Sequence, residues 1–431
     1  MSKEITLRRV FRSWWPLAAS WLMMGFELPA VSAAVARLPD PNIHLAAYGG
    51  VVFPLSLVIE APIIMLLAAS TALCRDREMY AQLRRFMLVS AAVLGALHFL
   101  LAATPIYDLV VDRLLGVPEE VRGPARLGLL IFTPWTPAIA YRRFQQGLLI
   151  RFGRSRAVGV GTAIRLGANV VTLLAGIAHG GLPGIVVGTT AISIGVIAEA
   201  IYVGIVARSV VRGPLRLAEV RGGPFPLRRL LAFYIPLMIT PLFNMIAHPV
   251  LSAALSRMPR PIESLAVLPV LNGLVFTLRS LGFAFNEVVV VTLDEAGARR
   301  VLARFARILG SAATAVLLLV IVTPLGRFWF VRVSALEEGL AVLAGRGLWI
   351  AVLFPAFSVL NSYYTGDLVH THRTRGITEA TVLYLATVCA VLFAGVRHGG
   401  ATGLYWGLSA GLAGYTVQAL WLGRRAREVR A

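Results

Sequence analysis

Charged residues are scarce in this sequence. Only 14% of the 431 residues are Asp, Glu, Lys or Arg, whereas soluble domains carry about a quarter. Hydrophobic residues make up 58% of the chain, and the mean hydropathy is +0.76. A soluble fold of this length cannot cover so much apolar surface, so the soluble classes are excluded. The composition therefore predicts an all-α polytopic membrane protein with a lipid bilayer around it.

Acidic residues and cysteines are also few. The chain has 21 Asp and Glu against 41 Lys and Arg, a net charge of +20. No basic run accompanies a nucleic-acid-binding signature, and cations accumulate in the cytoplasmic loops of membrane proteins, so no nucleic-acid partner is predicted. The two cysteines, Cys74 and Cys389, have no metal-ligand neighbours and are too few for a disulfide framework. No metal site and no cofactor are predicted.

The sequence contains none of the common enzyme signatures. It has no Walker A loop, no GxSxG motif, no HExxH motif and no clustered Cys and His residues. These absences exclude the nucleotide hydrolases, serine hydrolases and zinc peptidases that carry such motifs. The chain is therefore expected not to be an enzyme, and no catalytic residue is assigned.

Long apolar runs dominate what is present. Because a helix needs about 20 apolar residues to cross a bilayer, the sequence divides into twelve predicted spans. In the first half they cover residues 13–37, 44–72, 84–107, 122–150, 157–178 and 184–207. In the second half they cover residues 230–257, 264–292, 303–326, 340–369, 376–396 and 402–423.

The loops between these spans alternate in charge. Every second loop is rich in arginine, and the loops between them are short or mixed in charge. Under the positive-inside rule this pattern predicts a plasma (inner) membrane protein with both termini in the cytoplasm. A small-residue motif at residues 32–36 looks like a signal-peptidase site, but it recurs at Ser252 inside the chain. The first span is therefore predicted to be retained.

The chain is an internal duplication. Residues 29–46 and 249–266 are identical at nine of eighteen positions with a constant offset of 220. Further matches keep an offset between 218 and 221 through both halves. Each copy has six spans, an even number, so both insert in the same direction as parallel repeats. We predict an N-terminal six-helix lobe (1–207), a basic cytoplasmic linker (208–229) and a C-terminal six-helix lobe (230–431).

Ionisable and polar residues inside the spans are candidate site residues, because they are costly in a membrane and usually line a cavity or meet a partner. Two carboxylates, Glu27 and Glu60, are the predicted sites for a coupling proton or sodium ion. The predicted substrate-binding residues are Arg279, His248, Asn244, Arg142 and Asn361. In the repeat, Arg142 aligns with Asn361, Glu60 with Ser280 beside Arg279, and Glu27 with Ala247 beside His248.

These alignments leave two interpretations of the buried charges open. If the first two spans of each copy line the lobe interface, Glu27 and Glu60 would meet cations of the other lobe across a central cleft. Alternatively, each group pairs inside its own lobe and serves structure. Arg142 could also extend its guanidinium to the cytoplasmic face instead of binding a substrate.

Local motifs point to a known family. Twelve spans in two parallel repeats are the layout of the major facilitators and of the MATE-type exporters and polysaccharide-lipid flippases. The loop Cys74-Arg75-Asp76-Arg77-Glu78-Met79-Tyr80 does not fit the major-facilitator motif. The sequence instead resembles the progressive ankylosis protein family, a MATE-like group. The motifs that carry the resemblance are residues 45–49, 75–77, 97–98, 107–120, 233–237, 248–249 and 256–257.

The resemblance implies a V-shaped, MATE-like transporter that works by alternating access. It implies export of a small anion such as pyrophosphate, a nucleotide or citrate, although His248 stands where that family has an arginine. A proton- or sodium-coupled exporter of cationic drugs, a lipid-linked saccharide flippase and a membrane scaffold without transport remain as alternatives. A monomer is expected.

Overall fold

The computed structural model of the protein describes residues 5–218, 226–295, 297–371 and 373–428, and within them all regular secondary structure is helical. Each predicted span coincides with a helix or with consecutive helices. The first copy contains α1 (Leu7–Gly25 and Glu27–Val35), α2 (Pro41–Leu73), α3 (Arg77–Ala103), α4 (Glu119–Phe132 and Trp135–Arg151), α5 (Ser155–His179) and α6 (Gly184–Arg212). The second contains α7 (Leu227–Leu255), α8 (Pro261–Thr292), α9 (Ala298–Val322), α10 (Glu338–Ala351 and Phe354–His370), α11 (Arg375–His398) and α12 (Gly403–Glu428).

Most of these helices can cross a membrane by length and composition. In the described ranges, nine helical stretches are long and apolar enough, and α7 is a tenth that bends by 41° between Ile239 and Pro241. Proline lacks the amide hydrogen that an unbroken helix uses, which explains a bend at Pro241. The remaining two, α4 and α12, are helical but more polar. The predicted twelve-helix, all-α architecture is confirmed.

The backbone repeats the duplication seen in the sequence. Asp40 and Arg260, 220 residues apart, both adopt the left-handed conformation, with φ of 48° and 58°. A proline follows each of them and begins α2 or α8, where its fixed φ suits a first helical turn. The two turns, which lie in the segments recognised from sequence identity, are therefore also alike in conformation.

Helix packing repeats as well. A Cβ atom added at Gly128 would lie 2.7 Å from the Ile185 side chain, so α4 approaches α6 closely there. At Gly347 the corresponding atom would lie 3.5 Å from the Leu404 side chain. Gly347 stands 219 residues after Gly128, and Leu404 stands 219 residues after Ile185. Small residues thus set the same close helix approach in both copies.

The described residues form two compact units. Unit I contains Arg37–Ala253, and unit II contains Met1–Ala36 together with Ala254–Ala431, each within the described ranges. In unit II, α1 packs on α8, and the Trp14 indole Nε1 donates to the Leu281 carbonyl at 3.0 Å. In unit I, α7 packs on α2, and the Tyr234 hydroxyl donates to the Pro62 carbonyl at 2.6 Å.

This division exchanges two helices relative to the predicted lobes: α1 belongs to unit II, with most of the second copy, and α7 belongs to unit I, with most of the first copy. The prediction followed chain order and placed α1 with residues 1–207 and α7 with residues 230–431. The predicted lobes, residues 1–207 and 230–431, correspond to the two sequence repeats, and their existence as structural lobes stays a prediction. Residues 219–225 of the predicted linker lie outside the described residues.

Candidate substrate and ion sites

Unit I contains a buried ion pair between α4 and α6. The Arg142 Nη1 atom lies 2.6 Å from Glu199 Oε2; Arg142 is 4% exposed and Glu199 is fully buried. Gln146, one turn after Arg142, donates from Nε2 to Glu199 Oε1 at 2.8 Å. Both oxygens of the carboxylate are therefore hydrogen-bonded, as a buried charge requires.

A second arginine approaches the same carboxylate from α5. The Arg165 Nε atom lies 3.7 Å from Glu199 Oε2, and Arg165 is 6% exposed. Glycines permit this approach: a Cβ atom at Gly161 would lie 3.3 Å from Glu199 Cγ, and one at Gly195 would collide with the Asn169 side chain. Close contact between α5 and α6 therefore lets the charged groups meet inside the helix bundle.

Glu60 on α2 completes the cluster. Its side chain is buried, and the charges of Arg142, Arg143 and Arg165 act on it. Its Oε2 atom accepts no hydrogen bond from any described residue. Three arginines thus face two glutamates, which leaves an excess of one positive charge when all five are ionised. We call these five residues the unit I cluster.

Unit II places its central cation among aromatic rings instead. The Arg279 guanidinium carbon on α8 lies 4.5 Å from the Tyr415 ring centroid and 5.8 Å from that of Phe283. The rings of Tyr384 and Tyr415 are 5.1 Å apart. The negative faces of aromatic rings attract a cation without neutralising its charge. Among the described residues, no Asp or Glu forms an ion pair with Arg279.

An amide pair lies on the helices next to Arg279. Asn361 on α10 donates from Nδ2 to Gln418 Oε1 on α12 at 3.0 Å. One turn before Asn361, the Ser358 hydroxyl donates to the Arg279 backbone carbonyl at 2.8 Å. Asn361 and Gln418 stand 219 residues after Arg142 and Glu199. The buried ion pair of unit I therefore has a neutral, half-buried counterpart in unit II.

The predicted site residues divide between the units. Glu60 and Arg142 come together in the unit I cluster, the within-lobe arrangement that the sequence left open. Asn244 and His248 are exposed, one turn apart, on α7 of the same unit. Glu27, half-buried on α1, belongs to unit II with Arg279 and Asn361. Their roles in binding and coupling stay predictions.

Sequence reasoning missed Glu199 as a site residue. It is not among the predicted site residues, yet it is the carboxylate on which Arg142, Gln146 and Arg165 converge. The available signal was a single acid in an otherwise apolar span, which usually marks a partner or a cavity. Gln146 gave no comparable signal, because a lone glutamine in a helix has many ordinary roles.

Solved structures share this architecture. An inward-facing MATE multidrug resistance transporter of the MOP superfamily matches with a TM-score of 0.72 and 14% identity, covering 95% of each chain. The lipid II flippase MurJ matches with a TM-score of 0.72 and 14% identity, covering 95% of this chain and 87% of its own. A MOP superfamily transporter from Pyrococcus furiosus, described as having a binding pocket of reversed polarity, matches at 0.61 and 15% identity, covering 99% and 98%.

The chain has the fold of the MATE transporters. Its amino-acid sequence matches no model of a known family and no curated protein. At 14–15% identity the structural matches establish a MATE-like fold and no closer kinship. The MATE-like part of the sequence resemblance is thereby confirmed.

Proposed function

We propose that the protein is a secondary active transporter that exports a small organic or phosphate-bearing anion by alternating access. The observation that carries the proposal is the cationic excess of the unit I cluster inside a MATE-like fold. A buried charge without a counter-charge is costly, and an anion of suitable size would remove that cost. The proposed kinship with the progressive ankylosis family rests on the sequence motifs and agrees with an anionic cargo.

Arg143 is the group of the cluster best suited to hold that anion. Arg142 is committed to Glu199 at 2.6 Å, and Arg165 approaches the same carboxylate at 3.7 Å. Among the described residues, in contrast, no acid forms an ion pair with Arg143, and its buried Nε atom, like that of Arg142, has no hydrogen-bond partner there. A guanidinium binds a carboxylate or phosphate through two parallel hydrogen bonds, which suits both proposed substrate types.

Arg279 is the corresponding cation of unit II. Aromatic rings hold it in place and leave its full charge available, whereas a carboxylate partner would compete with an anionic cargo. The neighbouring Asn361 and Gln418 side chains add neutral hydrogen-bonding groups. We propose that Arg279 binds the cargo directly and that Asn361 orients it.

Glu60 is the proposed coupling residue. Protonation would remove one of the two negative charges of the unit I cluster and strengthen its attraction for an anion. Because each ligand then favours the other, proton and anion should bind together. Net export would be driven by the membrane potential, which contributes about 2.3 kcal/mol per charge at 100 mV. The cargo should therefore carry at least two negative charges.

Purified protein in liposomes tests this proposal. Labelled pyrophosphate, citrate and a nucleotide are offered with and without a membrane potential, and a cationic dye serves as the competing cargo. We expect anion flux that is lost in Arg279→Ala and Arg143→Gln. Arg300→Ala, which removes an exposed arginine of α9, is the matched control and should transport normally. Dye efflux that needs Glu60 and survives Arg279→Ala would contradict the anion proposal.

A lipid-linked saccharide flippase is the second candidate, because MurJ matches as well as the multidrug transporter does. The same liposomes with a fluorescent lipid-linked saccharide in one leaflet separate the two. Flipping without flux of the soluble anions would favour the flippase. Absence of both activities would favour the scaffold alternative.

A further inference from the structure

A groove with an apolar wall and a basic mouth lies between α11 and α12 in unit II. Its volume is about 430 Å³. It lies where α11 begins, at Arg375, and where α12 approaches its end at Glu428. The lining residues are Arg375, Thr378, Glu379, Val382, Leu383 and Trp421.

The wall of the groove is apolar and continues onto an exposed surface. Val382 is 46% exposed, and Leu420, beside Trp421, is 66% exposed. The Trp421 indole Nε1 donates to Glu379 Oε2 at 3.2 Å, which holds the half-buried ring at the mouth. Tryptophan with one polar contact and an apolar body is the typical residue of the membrane interface. The geometry is that of a slot for a hydrocarbon chain.

The mouth of the groove is strongly basic. The two segments that meet there, residues 373–379 and 421–428, contain five arginines and two glutamates, an excess of three positive charges. The guanidinium carbons of Arg424 and Arg425 lie 5.4 Å and 5.2 Å from the Trp421 ring centroid. The side chains of Arg375 and Arg424 are 92% and 67% exposed. Their charges are therefore accessible from outside the helices.

We propose that this groove is a binding site for an anionic phospholipid. The headgroup phosphate would lie between Arg375 and Arg424, and one acyl chain would run along Val382, Leu383 and Trp421. A soluble anion would use the arginines and leave the apolar wall exposed, whereas an anionic lipid satisfies both parts. Basic pockets at the ends of membrane helices bind anionic lipid headgroups in this way.

Arg375 and Arg424 can be replaced without removing the contacts that join the helices. Arg425 alone donates to both glutamates, at 2.6 Å to Glu379 and 2.9 Å to Glu428. The contacts of Arg375 and Arg424 with these acids are additional, at 3.2 Å and 2.9 Å. A variant lacking both arginines is therefore expected to fold and to retain the apolar wall.

Native mass spectrometry of the full-length protein released from nanodiscs tests the headgroup contact. The nanodiscs contain equal amounts of phosphatidylglycerol and phosphatidylcholine. We expect the unmodified protein to retain phosphatidylglycerol, and Arg375→Ala with Arg424→Ala to reduce the retained amount at least threefold. The control pair, Arg300→Ala with Arg304→Ala, removes two exposed arginines from α9 of the same unit and should retain it fully. The proposal would be overturned if the two double variants retained equal amounts of phosphatidylglycerol, or if the unmodified protein did not prefer phosphatidylglycerol to phosphatidylcholine.

Quenching by brominated lipids tests the chain contact. Phosphatidylglycerol with brominated acyl chains should quench more fluorescence in the unmodified protein than in Trp421→Phe, and the difference reports on Trp421 alone. Brominated phosphatidylcholine should give a smaller difference. Inorganic phosphate should not abolish the difference at concentrations that leave the bilayer intact. Equal quenching by both lipids would contradict the proposed lipid site. A change in the oligomeric state of Trp421→Phe would contradict it as well, because it would mean that the groove binds a second copy of the chain.

Discussion

The two copies of the duplication use the same pair of positions for different chemistry. Arg142 and Glu199 are 57 residues apart and form a buried ion pair, while Asn361 and Gln418 are also 57 residues apart and form a half-buried amide pair. The helices that carry them are equivalent, and both pairs join the fourth helix of a copy to its sixth. The duplication thus preserved the contact and changed its charge.

A second difference lies on the second helix of each copy. Glu60 in the first copy aligns with Ser280, whose hydroxyl donates to the Thr277 carbonyl at 2.7 Å. The cation Arg279 aligns with Ile59, which is buried. Neighbouring residues on a helix point about 100° apart, so the two copies place their charges on different faces. The first copy concentrates opposite charges, and the second isolates one cation among aromatic rings.

Removing the charge of Glu199 should produce the largest effect. Glu199→Gln keeps the size of the side chain but leaves Arg142 and Arg165 facing a neutral group. Losing one partner of a buried ion pair lowers the free energy of unfolding by about 3–5 kcal/mol. The corresponding change in the second copy, Gln418→Leu, removes only a neutral hydrogen bond and should lower it by about 1 kcal/mol.

Thermal unfolding in detergent measures both variants. Glu287→Gln is the matched control, because Glu287 is an exposed acid on α8 and should leave the unfolding temperature unchanged. Equal shifts in Glu199→Gln and Gln418→Leu would show that the difference in charge between the copies has no energetic consequence.

Converting the first copy to the chemistry of the second should restore stability. Arg142→Asn with Glu199→Gln replaces the ion pair by the amide pair of Asn361 and Gln418. The double variant should recover most of the loss seen in Glu199→Gln, since no buried arginine at position 142 is left without a counter-charge. Anion flux should be largely retained, because the double variant removes one positive and one negative charge and so keeps the excess of one positive charge in the unit I cluster.

A double-mutant cycle provides the measurement. The coupling energy between positions 142 and 199 should reach about 1–3 kcal/mol. If the loss in the free energy of unfolding of the double variant equalled the sum of the losses of the two single variants, the two side chains would not be energetically coupled.

Changing the cation of the second copy should affect transport more than stability. Arg279→Lys keeps the charge but loses the planar guanidinium that stacks on Tyr415 and binds an anion through two hydrogen bonds. We expect a roughly tenfold higher KM for the anion, which corresponds to about 1.4 kcal/mol. Ile59→Val at the equivalent position of the first copy is the control. An unchanged KM in Arg279→Lys would remove Arg279 from the substrate site.

Much of the fold was predictable because it depends on composition and on the repeat. The scarcity of charge predicted the membrane, and the identity between residues 29–46 and 249–266 predicted the duplication that the backbone repeats at Asp40 and Arg260. The arrangement of helices around one another was not predictable. Contacts such as that of Trp14 with Leu281 join residues 267 positions apart, and no periodic pattern in the sequence encodes them.

The candidate site was predictable in part for the same reason. Arg142 and Glu60 stood out as charges deep in apolar spans, which is a property of depth along one helix. That Glu199 faces Arg142 depends on the rotation of α6, and that Arg165 also reaches it depends on the close approach of α5 and α6 at Gly161 and Gly195. The position of a charge along a span can be inferred from the sequence of that span alone. The side chain that it contacts on another helix depends on how the helices pack.

The turns at Asp40 and Arg260, in the segments where the copies agree most closely, should show the smallest effect. Asp40 and Arg260 both have left-handed backbones, a conformation that costs a side-chain-bearing residue roughly 1–2 kcal/mol and glycine almost nothing. The greater chain entropy of glycine in the unfolded state offsets about 0.5–1 kcal/mol of the gain. Asp tolerates this conformation better than Arg does. Arg260→Gly should therefore stabilise the protein by about 0.5–1 kcal/mol, and Asp40→Gly by less.

One contact distinguishes the two turns and must be separated from the backbone effect. The Arg260 Nε atom lies 3.1 Å from Glu263 Oε1 in an exposed ion pair, which contributes at most about 1 kcal/mol. Making Arg260→Gly in a Glu263→Gln background removes that contribution from both states that are compared. Thermal unfolding should then show the full gain from relieving the backbone. A loss of stability in that background would mean that the left-handed backbone at Arg260 is not strained. The turns at Asp40 and Arg260 would then be alike in conformation but not in energetic cost.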